Sequence, residues 1–318
     1  QTGARSFPRA DKPRLKGASA APGGERQATA NLEWMIDVRE LIEGTLPRCF
    51  RTVGERAPKG RAGRSGRMRL IGPQLYYREE EKLRLAFAIE GGERLIVTQH
   101  GGNYGTLRAL SNSAEVEYRH HAFFSWGWSE HDDYLGRIRA LPSPYLSKWA
   151  NGHHERREEM VFVGTHGNLL AYRLDSIPQP LQQLRHRRRK LEFFRRLSAA
   201  VAAHTWYRPY FLKEGALDDS VFFREHCSGL RFLEGNLFRR LLGSRLLVVD
   251  HPVTTLNFAM AANIPLVGLW EKGAWTFCRQ AAPYFEALER VGVIFEDAAE
   301  SADHVNRIWD DVEGWWSQ

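Results

Sequence analysis

This chain has no run of about 18 consecutive apolar residues, the length a bilayer-crossing helix needs, so no membrane-spanning helix is expected. It is poor in cysteine. Cys49, Cys227 and Cys278 stand singly without a CxxC spacing, which excludes a disulfide framework and a cysteine-built zinc site and fits a reducing, cytoplasmic setting. No secretory signal is visible, and the first residue is Gln1 rather than Met, so the chain reads as one that lacks its true N-terminus. Walker A, GxGxxG, HExxH and GxSxG sequences are missing, as is a DxD-type metal motif. There is no repeat at a fixed period of about 20 to 50 residues, which excludes solenoids and propellers.

What is present is an ordinary globular composition: 318 residues, 43% hydrophobic and 26% charged. That length accommodates two domains and buries roughly three quarters of the surface the unfolded chain exposes. The net charge of +7, with a pI near 9.4, favours an anionic partner: nucleic acid, anionic lipid or a phosphorylated small molecule.

Residues 1–30 are rich in Gly, Ala, Pro, Arg and Lys without an apolar period and read as a disordered tail. Leu32, Met35, Ile36, Val38, Leu41 and Ile42 have helical spacing. The stretch from Arg51 to Arg69 reads as a solvated basic loop. A helix over Glu79 to Gly91 is followed by the β-branched strand Arg94–Gln99, then the loop His100-Gly101-Gly102-Asn103-Tyr104-Gly105, with helix possible from Thr106. Phe123 to Trp128 reads as a second buried segment at a sheet edge, and Leu141-Pro142-Ser143-Pro144 as a linker. In the second half, strands are expected at Met160–Thr165, Thr205–Tyr207, Leu246–Asp250, Pro265–Trp270 and Val291–Phe295. Helices are expected at Gln179–His204, Thr254–Ala262, Ala281–Arg290 and Ala298–Trp316, the first exposing Arg185, Arg187, Arg188, Arg189 and Lys190. Strands that alternate with helices give an α/β fold with a largely parallel sheet.

In open parallel sheets, ligands bind beyond the carboxyl ends of the strands, so the residues just after each strand carry the information. The loop Gln99–Gly105 has glycines that let backbone approach a ligand, and its His100 is either a general base or a residue that holds the loop in shape. In Asp250-His251-Pro252-Val253-Thr254-Thr255, either threonine could cap the following helix or bind a phosphate at its start. Arg208, at a strand end, suits fork-like pairing with a phosphate or carboxylate, or an internal salt bridge. Gly164-Thr165-His166-Gly167 is a weaker small-residue turn. Spacing alone stops at an α/β protein that binds a phosphorylated ligand.

The segments Gln99–Gly105 and Phe123–Trp128, followed in order by Thr254-Thr255-Leu256, Ala262-Asn263-Ile264-Pro265, Pro283-Tyr284-Phe285, Val291-Gly292-Val293 and Trp315-Trp316, resemble the LIC12162 family of transferases linked to surface carbohydrate biosynthesis. The resemblance spans roughly Leu32 to Trp316. It implies a GT-B-like architecture of two Rossmann-like domains: an acceptor-side domain over residues 31–141, truncated at its N-terminus, and a nucleotide-donor domain over residues 156–318. Asn257 stands where the family usually has an acidic residue, the kind of side chain that commonly holds the donor ribose in GT-B enzymes.

The resemblance implies a metal-independent glycosyltransferase without cofactor, which moves a sugar from a nucleotide-activated donor to a glycan or lipid-linked surface-polysaccharide acceptor. In this reading His100 is the base, and Gly101, Gly102, Asn103, Arg208, Thr254 and Thr255 hold the donor phosphates. Gln99, Thr165, His166, Asp250, His251 and Asn257 are further candidates. The alternatives are a CDP-alditol phosphotransferase of the glycerol phosphate type and a non-catalytic nucleotide- or nucleic-acid-binding protein. Nucleic acid is the weaker partner because no recognised nucleic-acid module is present, and an anionic membrane at the inner face would account for the same basic charge.

Overall fold

The computed structural model describes residues 66–72, 79–110, 117–132, 134–150, 156–165, 167, 178–210 and 216–318, with a few positions between 42 and 55. The expected tail, most of the expected helix over residues 32–42, most of the basic stretch before Gly66 and His166 lie outside the described residues. The chain divides into compact units Gln1–Gly60 and Arg61–Gln318. In the first, Leu46 N–H and Thr45 Oγ1 both donate to the Ile42 carbonyl. All that follows concerns the second.

This unit contains two sheets whose paired strands are all parallel. The first runs in the order β1-β2-β3-β4, formed by Met68–Ile71, Arg94–Thr98, Ala122–Trp126 and Ile138–Leu141. Helix α1, Glu79–Glu90, connects β1 to β2. The short helix α2, Pro144–Ser147, starts where Ser143 accepts the Leu146 N–H, and leads toward β5, Arg157–Val163.

Strand β5 begins the second sheet, whose order is β10-β9-β8-β5-β6-β7. Between β5 and β6 (Thr205–Arg208) lie α3, Pro180–Arg196, and α4, Ala199–Ala203. The chain continues through α5 (Asp219–His226), β7 (Arg231–Phe232), α6 (Leu237–Leu242), β8 (Ser244–Val249) and α7 (Thr254–Ala261). It closes with β9 (Leu266–Leu269), α8 (Ala282–Arg290), β10 (Ile294–Phe295), α9 (Ala298–Ile308) and α10 (Val312–Trp316).

Side chains of a strand alternate between faces, and in β5 and β8 both faces are apolar. Val161, Val163, Leu247 and Val249 enter a core shared with Val97, Tyr104 and Phe123 of the first sheet and its loop. Met160, Phe162, Leu246 and Val248 enter the opposite core, against Phe193 and Phe194 of α3 and Val305 of α9. The central strands are thus buried on both sides, and the two sheets are welded through one of these cores.

Several expectations are corrected. The segment at Phe123 is interior, since β3 pairs with both β2 and β4. Strand β1 arises from the end of the stretch read as a solvated basic loop, and β4 and β7 were not expected. No helix begins at Thr106. Instead Leu107 bridges antiparallel to Phe277, while Arg108 N–H donates to the Thr276 carbonyl and Cys278 N–H to that of Thr106. The helix expected over Gln179–His204 breaks at Leu197, which is extended at φ −61°, ψ 139°, because Ser198 restarts it by capping Val201 N–H. The last helix is likewise interrupted by a 3-10 turn at Trp309–Asp311.

The basic face of α3 also needs correction. Gln183, His186, Lys190, Phe193 and Phe194 are the buried residues of α3, so Lys190 points inward rather than to solvent. Arg187 is largely covered and paired to Asp219 at 2.7 Å.

Candidate functional site

The loop after β2 is built on Gln99. Its buried side chain donates from Nε2 to the Gly101 carbonyl at 2.7 Å, while Oε1 accepts the Trp126 N–H and the Trp128 indole N–H, each at 2.8 Å. One amide therefore ties the loop to the end of β3, and Gln99 is a positioning residue. Gly105 turns the loop at φ +68°, and a Cβ there would lie 2.4 Å from the Trp128 ring, so both conformation and space demand glycine.

Beside it, Gly102 N–H donates to Thr254 Oγ1 at 2.9 Å. The loop after β2 is therefore in direct contact with the start of α7. This contact also changes the role of Thr254: Val253 is the N-cap residue, and the Thr254 hydroxyl accepts from Gly102 instead of capping its own helix. A Cβ on Gly102 would meet Thr254 N at 2.7 Å and Val253 C at 2.8 Å, both backbone atoms that cannot rotate away. Gly102→Ala is expected to lower stability by roughly 1–3 kcal/mol, the usual range for overpacking. Chemical denaturation checks this, and an unchanged midpoint would mean that the loop does not seat on α7.

His100 is exposed, and its Nδ1 lies 2.8 Å from the hydroxyl of buried Tyr104. When Nδ1 carries the proton and donates to the phenol oxygen, Nε2 keeps its lone pair and can accept a proton. Tyr104 also lines an open cleft of about 440 Å³. Trp126 at the end of β3, Glu130 beyond it, Asn257 on α7, and Gln280 and Tyr284 at α8 complete its main walls. The walls from the loop after β2, the end of β3 and the start of α7 lie at the carboxyl ends of strands, where parallel sheets place their ligands. The lining combines aromatic faces with amides and carries one carboxylate and no Lys or Arg. Asn257 belongs to this cleft; His100 adjoins it through Tyr104.

Behind the loop that starts α7, Asp250 is fully buried. Its Oδ1 accepts the Thr165 N–H at 2.7 Å and His251 Nδ1 at 2.8 Å, and its Oδ2 meets His186 Nε2 at 2.8 Å and Lys190 Nζ at 3.4 Å. Burial alone would push the carboxyl up, but His186 and Lys190 outweigh it and hold Asp250 well below the usual carboxylate range. Asp219 at the start of α5 is also lowered: burial opposes, and Lys190, Arg187 and Tyr207 prevail. The Tyr207 phenol is pushed well above its ordinary value by burial and by these two carboxylates, so it stays protonated and donates to Asp219 at 2.8 Å.

Arg208 lies at the same carboxyl edge, and its Nη1 donates to the Leu233 carbonyl at 2.8 Å. Thr255 follows Thr254 in the first turn of α7, and Asn103 supplies a carbonyl that accepts Thr106 and Leu107 N–H within the loop. Among the described residues no group of three His, Cys, Asp or Glu could hold a metal ion.

A family model described as LIC12162 family transferase matches residues 23–318. No curated protein matches the chain. Among solved structures the chain is similar to spinosyn forosaminyltransferase SpnP, at 15% identity and a TM-score of 0.32, with 70% of this chain and 48% of that one covered. It is also similar to the glycosyltransferase SnogD from Streptomyces nogalater, at 14% identity and a TM-score of 0.29, with 75% and 60% covered. The chain spans 48% and 60% of the lengths of these two structures.

Proposed function

That the chain belongs to the LIC12162 family of transferases is the premise from which we propose that it moves a glycosyl group from a nucleotide-activated donor to a surface-carbohydrate acceptor, in a GT-B-like arrangement. The observation that supports this reading is the cleft formed by carboxyl-edge loops of both sheets, with an imidazole at its margin. Its aromatic and amide lining suits a sugar ring, which offers C–H faces and hydroxyls but no charge. In this proposal His100 removes the acceptor hydroxyl proton through Nε2, and Tyr104 sets its tautomer. The donor diphosphate takes the carboxyl edge of the second sheet outside the cleft, where Arg208 at the end of β6 and the first turn of α7 after β8 flank the end of β5. Gly101, Gly102 and Asn103 shape the loop, Thr255 faces the leaving diphosphate, and His251 and Asp250 hold the approach to α7.

A nucleotide panel tests the proposal by thermal stabilisation. A ligand at a hundredfold excess over its Kd stabilises by about 2.7 kcal/mol, enough to shift the midpoint visibly. UDP or GDP as the stabilising nucleotide supports sugar transfer. CDP alone would redirect the reading to transfer of a phosphorylated alditol, and no stabilisation by any nucleotide would overturn it.

A further inference from the structure

Helix α3 carries a surface that the cleft does not explain. At 3.6 residues per turn, Leu181, Leu184, Arg185, Arg188, Glu192 and Arg195 fall within a stripe about 100° wide. All are exposed, and the buried residues Gln183, His186, Lys190, Phe193 and Phe194 occupy the opposite side. The solvent stripe of a helix is ordinarily polar. Here its first turn places Leu181 at 93% exposure and Leu184 at 63%, followed immediately by guanidinium groups.

The charges are arranged for a further partner. Arg185 reaches Glu271 at 3.1 Å but stays largely exposed, and among the described residues Arg188 makes no hydrogen bond or ion pair. The single acid of the stripe, Glu192, lies a turn beyond Arg188, away from the leucines. The orientation of the helix is rigid, because Arg196 pairs with Asp303 of α9 at 2.7 Å, Arg187 pairs with Asp219 of α5, and His186 reaches Asp250.

From this geometry we infer that the first turns of α3 dock onto a bilayer surface bearing anionic headgroups. Leu181 and Leu184 enter the headgroup boundary, and Arg185 and Arg188 spread above them to the phosphates, the division of labour of an interfacial amphipathic helix. The helix lies on the membrane and does not cross it. Its N-terminal end follows the carboxyl edge of β5, so docking brings the lipid surface to the same edge of the sheet as Asp250 and the start of α7. A nucleic acid would use the arginines but has no use for two exposed leucines, so the apolar pair decides between these polyanions. The inference does not depend on the reaction proposed above.

Flotation of the 318-residue chain with vesicles of phosphatidylcholine alone or with added phosphatidylglycerol tests it. Binding is expected only to the anionic vesicles and should weaken as salt is raised. Arg188→Ala should weaken it about fivefold, the ordinary contribution of one cation near such a surface. The Leu181→Ser/Leu184→Ser double variant should weaken it at least as much, with unchanged thermal stability because both side chains are already exposed. The basic stretches near the N-terminus provide the internal control, since they remain intact in these variants. Absence of binding to anionic vesicles, undiminished binding by the α3 variants, or random-sequence DNA binding that is equally lost in the leucine variant would each overturn the inference.

Discussion

Replacement of Asp250 by alanine should destabilise the fold by about 3–5 kcal/mol, the range for breaking a buried charge pair from one side. The loss would not be confined to one contact. Lys190 and His186 would face an empty space in the apolar core behind β5 and β8, and Thr165 N–H would lose its acceptor. Asp250→Asn separates charge from shape, because its carbonyl oxygen can still accept from Thr165 while the negative charge is gone. It should fall between wild type and Asp250→Ala. Urea denaturation with a common m-value makes the comparison, and a loss below about 1 kcal/mol for Asp250→Ala would show that the network contributes little.

The same carboxylates fix a pH dependence. Asp250 and Asp219 are both held below the ordinary carboxylate value when folded, so in acid the unfolded chain binds protons first. Their stabilisation is complete above the ordinary carboxylate range near pH 4, and it declines as pH falls through that range toward the lower folded values. Asp250→Asn should flatten that acid limb, whereas it would leave the limb unchanged if other groups caused it.

Loss of the His100 imidazole should reduce transfer by about a hundredfold to ten-thousandfold, the usual contribution of a general base. His100→Ala should hardly change stability, since the ring is exposed and the loop is held by Gln99 and by the Gly102 contact to Thr254. His100→Gln sharpens the test: an amide can keep a hydrogen bond to Tyr104 but cannot accept a proton at neutral pH. Turnover is measured with whichever donor nucleotide the thermal panel identifies. Near-normal turnover by His100→Gln, with donor binding unchanged, would reduce His100 to a loop-shaping residue.

Much of the fold was legible in the sequence because buried parallel strands are short apolar runs followed by small or polar residues. Leu246–Val249 and Arg94–Thr98 show this plainly. Strand β1 was not, since Met68-Arg69-Leu70-Ile71 closes a run of arginines and its place depends on pairing with β2. Within the site, the Gly101-Gly102 loop and Thr254 were both legible as positions just after strands, but their direct contact was not, because it depends on how the two sheets pack. The buried side of α3 was hidden by its composition, in which arginines outnumber apolar residues. Phe193 and Phe194 were the available signal: counting back one and two turns from them puts Lys190 and His186 on the same inward face. The cleft wall at Gln280 and Tyr284 required knowledge of how the chain after β9 crosses to the other sheet, which no local pattern carries.

That crossing has a mechanical consequence. Leu107 bridges Phe277, Arg108 and Cys278 donate to Thr276 and Thr106, and Arg279 N–H donates to Asp132 at 2.6 Å. The chain segments at the cleft's two walls are therefore stitched together like the two leaves of a folder at its spine. Widening the cleft at that margin means breaking backbone hydrogen bonds in series, so the walls can shear or tilt more cheaply than they can separate. A ligand seated against one wall therefore rests on segments that the other wall also holds in place.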